Sequence, residues 1–429
     1  MKNYLIAIIG AGPSGVSILK KLSKQPGFKI DLFDEQSRLG GNINRKKIEE
    51  KNDDIENLIA NNSKVNFYNK TSIFSITESN EVSFNHSNSF QKKKYDFICL
   101  CTGAFDTFFP IKGYNDQKNI TSVGFLQAVL KNSEIIPSGK IILAGSGPYL
   151  HVVGSDLLKA GANVIQIIDG LSLLSYVKLF FFSVFIPKNI ILGIKNIIYL
   201  KIKKVKIHFN NSIKEIDNLK ITLKNKIKVD FEHLGISDIF VSQVQLHKTC
   251  NLNIKLNYLK NNLVVDVNNN YQSSNKSIYV GGEGSGVFGS LHAQISGQII
   301  ANDIIKRTRF VKNFFSFYYM FYASYLKLFG KIFEKEMLKG VNFFDKDSVI
   351  CGCEKIKTEE IEKLIDFGVK DFNSIKISSR CGMGSCQGKY CETNLVNLFR
   401  QKNISIKGFF NQSNFTKPIT VKDFLNDKI

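Results

Sequence analysis

The chain has 429 residues, 43% of them hydrophobic and 22% charged, which excludes a disordered chain and is enough for a large core in two or three domains. Its formal charge of +21 suggests a polyanionic partner, yet Arg38, Arg45, Arg307, Arg309, Arg380 and Arg400 are the only arginines among 58 cations. Base and phosphate recognition favours Arg, whereas Lys that travels with heavy Asn and Ile use reads as coding bias, so nucleic acid is set aside. Attraction to an acidic protein or peripheral contact with an anionic membrane surface is what the charge leaves open.

The chain opens MKNYLIAIIGAGPSG, where one early Lys precedes a short apolar run. Glycines break that run well short of a secretory h-region and no small-residue cleavage site follows, so a cytoplasmic protein is expected. A reducing compartment makes clustered cysteines metal ligands rather than disulfides.

Residues 4 to 9, YLIAII, read as a strand running into Gly10-Ala11-Gly12-Pro13-Ser14-Gly15, then VSILKKLSK at helical spacing, then a second strand in FKIDLFDEQ. A dinucleotide site needs that order. Gly10 permits the tight turn, Gly12 lets the backbone approach a pyrophosphate, Gly15 lets the helix pack on the strand, and the helix N-terminus faces the phosphates. Asp34 stands where an acid accepts hydrogen bonds from a ribose, with Glu35 as the alternative. RLGGNINR, with Gly41 and Arg45, follows at once, as in flavoproteins that have two dinucleotide-binding domains. Two later strands end in Thr102-Gly103 (YDFICLCTGAF) and Gly282-Glu283 (SIYVGGEGSG). Together these stretches indicate FAD. In that class the last position is usually Asp against the ribityl and pyrophosphate region; Glu283 is one methylene longer and should keep the contact with a small shift.

A second strand, turn, helix and strand signature is KIILAGSGPYLHVVGSDLLKAGANVIQIID, residues 140 to 169. Gly145 and Gly147 are present but Leu150 replaces the third glycine. Asp169 could hold a ribose 2′-hydroxyl, so the site is read as taking an adenine nucleotide, NAD(H) or ATP; the bland reading is a domain kept for architecture. In residues 171 to 205, Lys178, Pro187, Lys188 and Lys195 interrupt the aromatic-rich run, which leaves no clean membrane span. A buried or partner-facing helix pair is expected there rather than a membrane surface helix. Residues 310 to 338 carry aromatics at helical spacing, as a packed linker helix or a subunit interface.

Five of the eight cysteines fall in the last eighty or so residues: Cys351 and Cys353 in ICGCEK, then Cys381, Cys386 and Cys391 in SSRCGMGSCQGKYC. The CxC spacing is too short for a zinc knuckle and strained for a disulfide, but two such thiolates can serve one iron of a [2Fe-2S] cluster and a second pair the other. Between the groups the sequence reads as Thr358 capping a helix, a turn at Gly368 and a second helix opening near Asp371, a hairpin that reunites its ends. Gly382, Gly384 and Gly388 free the backbone to point amides at the sulfurs, and Arg380 and Lys389 can offset the cluster's charge. Cys386 with Cys391 is the chosen second pair, Cys381 with Cys386 the alternative.

The CxC, the helical hairpin and GMGxCQGxxC resemble the bacterioferritin-associated-ferredoxin-like (BFD-like) [2Fe-2S] domain. The whole order, from the FAD motif through AGSGPYL and GGEGSG to the cysteines, is similar to the α (A or B) subunits of bacterial FAD-dependent amine and amino-acid dehydrogenases. That family includes the A subunit of opine oxidase, the α subunits of D-hydroxyproline and L-proline dehydrogenases and the B subunit of hydrogen cyanide synthase. The resemblance implies a separate β subunit flavoprotein that oxidises a C–N bond, a downstream electron acceptor, and FAD and [2Fe-2S] on this chain. It carries over Gly10, Gly12, Gly15, Asp34, Thr102, Gly103, Gly282 and Glu283 for FAD and Cys351, Cys353, Cys386 and Cys391 for the cluster. VSQVQLHKTC, residues 241 to 250, departs from the glycine- and proline-containing loop of relatives and weakens the case for NAD.

The fold class expected is α/β: two Rossmann-like domains of the pyridine nucleotide-disulfide oxidoreductase class plus a small helical [2Fe-2S] domain. Its boundaries would be 1–118 with 266–308 for FAD, 119–265 for the second nucleotide-like domain, 309–344 for the linker helix and 345–429 for the cluster domain and tail. Flavin handles two electrons and a [2Fe-2S] centre one, so the expected function is electron transfer in an amine or amino-acid dehydrogenase complex. The rivals are a stand-alone NAD(P)H-dependent reductase with a ferredoxin-like tail and a non-catalytic carrier. No catalytic acid or base is assigned; Cys99, Cys101, Cys250, His151 and His292 are read as structural.

Overall fold

The apolar runs become central parallel strands, since a strand covered on both faces must be hydrophobic on both. The structure is a computed structural model that describes residues 3–44, 53–87, 89–114, 119–133, 135–183, 186–309, 316–340, 344–411 and 415–417. The chain divides into two units, residues 1–104, 242–330 and 411–429 in one and residues 105–241 and 331–410 in the other. The cysteine segment, expected as a domain of its own, groups with the second unit.

In the first unit a five-stranded parallel sheet is centred on Tyr4–Ile9, flanked by Phe28–Phe33 and Phe97–Leu100, with Val65–Tyr68 and Ile278–Val280 at the edges. Ile6, Ile8, Leu32, Ile98 and Leu100 are fully buried. The helices Pro13–Leu22 and Ser290–Arg309 meet almost backbone to backbone: a Cβ on Gly297 would fall 2.4 Å from the Ser14 carbonyl oxygen. The Ser14 and Ser296 hydroxyls lie 3.3 Å apart, and Ser296 Oγ accepts the Gly282 amide at 2.8 Å. That contact sets the Gly282-Glu283 turn beside the first glycine turn.

The second unit has its own five-stranded parallel sheet, in the order Lys206–Phe209, Asn163–Asp169, Lys140–Gly145, His233–Ser237, Ile120–Ser122. Leu150, in the third-glycine position, is buried in its core with Leu143, Ile167 and Leu200. Close approach comes one turn later at Gly154, where a Cβ would lie 3.0 Å from Ile167 Cδ1. The cysteine segment contributes the helices Thr358–Asp366, Phe372–Ser379 and Cys391–Gln401 around Phe372, Phe399 and Phe410. The Ser374 amide donates to Asp371 at 2.8 Å, so Asp371 caps the second of these helices as expected. Thr358 does not cap the first: Glu360 accepts the Lys357 amide at 2.8 Å, while Thr358 is buried and donates to the Ser348 carbonyl.

The aromatic-rich stretch forms two helices, Leu173–Phe182 and Pro187–Ile202, started by a Ser172 side-chain cap and by Pro187. The pair is not buried: Leu174 is 77%, Phe181 70% and Ile202 71% exposed. The helix Ser316–Met337 packs through Ala323 and Leu326 and leaves Phe317 and Phe321 exposed. No described helix is long and apolar enough to cross a membrane.

Two glycine substitutions should move stability in opposite directions. Gly297→Ala forces the helices apart and should cost about 1–3 kcal/mol. Gly193→Ala, inside the Pro187–Ile202 helix with nothing within 4 Å of the new methyl, should stabilise by up to about 1 kcal/mol. Urea midpoints of the full chain check both.

Candidate functional site

The first glycine turn leaves an open cradle. Gly10 has a φ of 106°, and a Cβ there would strike the Cys101 carbonyl oxygen at 2.2 Å; one on Gly15 would meet the Gly10 carbonyl oxygen at 2.0 Å. Around Gly12, the closest atom a Cβ would meet is Gly41 Cα, 3.9 Å away. Gly41 is itself intolerant of a side chain, since its Cβ would lie 2.9 Å from Gly12 Cα. Two facing glycines therefore line the space where a pyrophosphate would pass over the helix N-terminus, and the residues fit a dinucleotide. Asp34 is half-buried and its carboxylate accepts the amides of Ala11 at 2.7 Å and Gln36 at 2.8 Å, which fastens the acid to the turn. Glu35 is exposed and pairs with Lys417. Arg45 lies outside the described residues.

Thr102 and Gly103 are tied to the divergent segment: Thr102 Oγ1 donates to the Gln243 carbonyl at 3.2 Å, and the Gln243 amide donates to the Gly103 carbonyl at 3.1 Å. Glu283 follows Gly282, whose φ is 66°. Burial pushes the Glu283 carboxyl up to about 7, opposed by the Ala104 amide. The Ser242 hydroxyl donates to the Glu283 carbonyl at 2.5 Å. His247, not singled out from the sequence, is fully buried, and its Nε2 would lie 3.2 Å from a Cβ on Gly284. Nothing in its local pattern flagged it, since the contact spans 37 residues of chain. Cys99, Cys101 and Cys250 are buried thiols pushed up by that burial, and His292 accepts or donates to the buried Tyr271 hydroxyl at 2.7 Å, so all four are structural.

The second glycine turn is more crowded. A Cβ on Gly147 would sit 3.4 Å from the Phe333 ring, 3.5 Å from Leu171 and 3.7 Å from Met337, so three apolar side chains lie within van der Waals reach of that position. Asp169 ends its strand as expected and is fully buried. One oxygen accepts the Gly147 amide at 3.0 Å and the Leu171 amide at 2.9 Å; the other meets His151 Nε2 at 2.8 Å and accepts the Tyr176 hydroxyl. Glu336, on the same helix as Phe333, anchors the closure by accepting Ser175 Oγ and Lys178 Nζ, each at 2.8 Å. Burial alone would raise its pKa, but Lys178, Lys339 and Ser175 hold it down at about 2. Gly145, Gly147 and Asp169 thus meet in a turn packed by side chains, in contrast to the first glycine turn.

The C-terminal cysteines form a group of three and a pair, in a grouping the spacing did not indicate. Cys351, Cys381 and Cys391 are buried with their sulfurs within 4.8 Å of one another. Cys353 and Cys386 form the other group and share a hydrogen bond. The CxC neighbours thus face different partners. The thiols of Cys381 and Cys391 donate to Cys351 and hold it as a thiolate at about 2, while their own pKa values rise. Amides of Gly382 and Glu354 face Cys351, and those of Gly388 and Tyr390 face Cys386. Arg380 gives its Nε to Glu354 at 2.9 Å, and Lys389 lies over the Phe105 ring at 4.6 Å, so both cations also serve local contacts. Two sulfur groups with converging amides are a donor set that fits an iron–sulfur cluster.

The family model for pyridine nucleotide-disulphide oxidoreductases matches residues 4–297, and the chain belongs to that family. The A subunit of opine oxidase from Rhizobium meliloti is 24% identical over 93% of this chain and 82% of its own length. The HcnB subunit of hydrogen cyanide synthase from Pseudomonas protegens is 24% identical over 90% of this chain and 89% of its own. The crystal structure of L-proline dehydrogenase from P. horikoshii shares the fold, with a TM-score of 0.67 and 16% identity over 98% of this chain and 79% of that one. The chain is an FAD-dependent oxidoreductase similar to these dehydrogenase and oxidase subunits.

Glu283 makes the flavin-free protein pH-sensitive. Its folded pKa of about 7 lies above the ordinary 4.5, so stability contributed by the protonated acid is present below 4.5 and lost as pH rises to 7. Denaturant midpoints of the wild type should fall relative to Glu283→Gln across that window and then stay parallel. Asp169→Ala strands four buried donors and should cost about 3–5 kcal/mol in the same assay.

Proposed function

We propose that the chain is the FAD- and [2Fe-2S]-containing electron-transfer subunit of an amine or amino-acid dehydrogenase complex. The substrate, of opine, proline, hydroxyproline or glycine type, is oxidised at its C–N bond on a partner β subunit flavoprotein, and a downstream acceptor takes the electrons. The observation that carries this reading is the contrast between the two glycine turns. A Cβ on Gly12 would meet only the Gly41 Cα, at 3.9 Å, while one on Gly147 would meet the side chains of Phe333, Leu171 and Met337 at 3.4, 3.5 and 3.7 Å. A chain that holds flavin but closes its pyridine-nucleotide turn needs an electron source other than NAD(P)H. The names of the relatives, each a subunit of an oxidase or synthase, favour a protein partner as that source.

In this reading Gly10, Gly12 and Gly15 hold the FAD pyrophosphate at the helix N-terminus, and Asp34 orients the adenosine ribose. Thr102, Gly103, Gly282 and Glu283 line the ribityl side. Cys351, Cys353, Cys386 and Cys391 hold the cluster, with Cys381 as the alternative ligand, and the Gly382 and Gly388 amides temper the sulfur charge. Bound there, FAD would exchange electrons in pairs and a [2Fe-2S] centre singly. The segment from Cys351 to Cys391 would then be a BFD-like domain.

Anaerobic titration separates this reading from a self-sufficient reductase. NADH and NADPH should leave the flavin absorbance of the purified chain unchanged, while the complex with its partner should bleach when given the amine. Bleaching of the isolated chain by NADH would favour the reductase instead.

A further inference from the structure

We propose that the helices Leu173–Phe182 and Pro187–Ile202 form a docking surface for an anionic lipid bilayer. Each helix turns a small inner face to the protein, Ser175 and Leu179 on the first and Asn196 and Leu200 on the second. The outer faces are apolar in helical register: Leu174, Val177 and Phe181 on one, Ile191, Ile198 and Ile202 on the other, all exposed. Such protruding Leu, Phe and Ile side chains are costly in water and insert readily at the headgroup boundary.

The charge around them selects the occupant. From Leu171 to Ile213 the sequence contains no Asp or Glu, while Lys195, Lys201, Lys203 and Lys204 are exposed beside the apolar face. The cores of protein interfaces are depleted in Lys and enriched in Arg and Tyr. Helices that lie in a membrane surface instead combine Leu and Phe with Lys, whose stems run along the apolar side chains while the ammonium groups reach anionic lipid. No described helix can span a bilayer, so the contact is peripheral. Surface attachment also suits an electron-transfer subunit, because electron acceptors dissolved in a membrane then come within reach.

Flotation of the full chain with vesicles tests this. The wild type should rise with equimolar phosphatidylglycerol and phosphatidylcholine vesicles and bind them roughly tenfold better than phosphatidylcholine alone, with loss at high salt. Leu174→Glu with Phe181→Glu, at positions exposed enough to spare the fold, should abolish flotation while flavin content and circular dichroism stay unchanged. Lys201→Glu with Lys204→Glu should remove the preference for anionic lipid. Absence of flotation, or flotation indifferent to both variants, would overturn the proposal. So would a Leu174→Glu, Phe181→Glu variant that floats normally but loses its partner flavoprotein or a second copy of the chain in size-exclusion chromatography, since the face would then be a protein interface.

Discussion

Everything functional here turns on what stands over the second glycine of a glycine turn. A backbone without a Cβ admits a pyrophosphate within hydrogen-bonding distance of a helix N-terminus, and the admission fails if any side chain arrives first. At Gly12 the facing residue is Gly41, also without a Cβ, and the space is kept. At Gly147 the facing groups are the side chains of Leu171, Phe333 and Met337, which crowd the turn. The same supersecondary unit occurs twice in the chain, once as a cradle and once as a packing joint.

The joint is built as a buried charge has to be. A carboxylate removed from water costs several kcal/mol unless its lone pairs are met, and Asp169 receives two amides, a histidine and a tyrosine hydroxyl. Glu336 receives two lysines and a serine, which keeps it ionised despite its burial. These contacts hold Glu336 and Asp169 in place within the second unit. At the cysteines the logic is inverted. Three buried sulfurs at Cys351, Cys381 and Cys391 within 4.8 Å of one another are a donor set suited to a metal.

Much of this was legible in the sequence because the signals are local. The strand, glycine turn and helix at residues 4 to 22 need only adjacent residues, and so does the Asp371 cap; the two Rossmann-like sheets and the family followed from them. What was not legible depends on contacts far apart in the chain. Phe333 and Met337 reach Gly147 across more than 180 residues, and no pattern near Gly147 announces them. The CxC spacing suggests sequence-adjacent pairs, but Cys351, at the end of the strand Val349–Cys351, groups with Cys381 and Cys391 while Cys353 groups with Cys386. For the helices after Leu171 the sequence leaves burial and partner contact both open, because apolar composition does not tell an inner face from an outer one. Their exposure emerged only once Ser175, Leu179, Asn196 and Leu200 were seen to be the side that packs.

The central claim, a flavin subunit with a one-electron centre in its cysteine segment, is tested most directly by anaerobic purification with the partner flavoprotein. Iron, sulfide and flavin would be quantified and electron paramagnetic resonance recorded after dithionite reduction. The account predicts about two irons and one FAD per chain and a rhombic reduced-cluster signal. Zinc, or no metal with full flavin content, would contradict it.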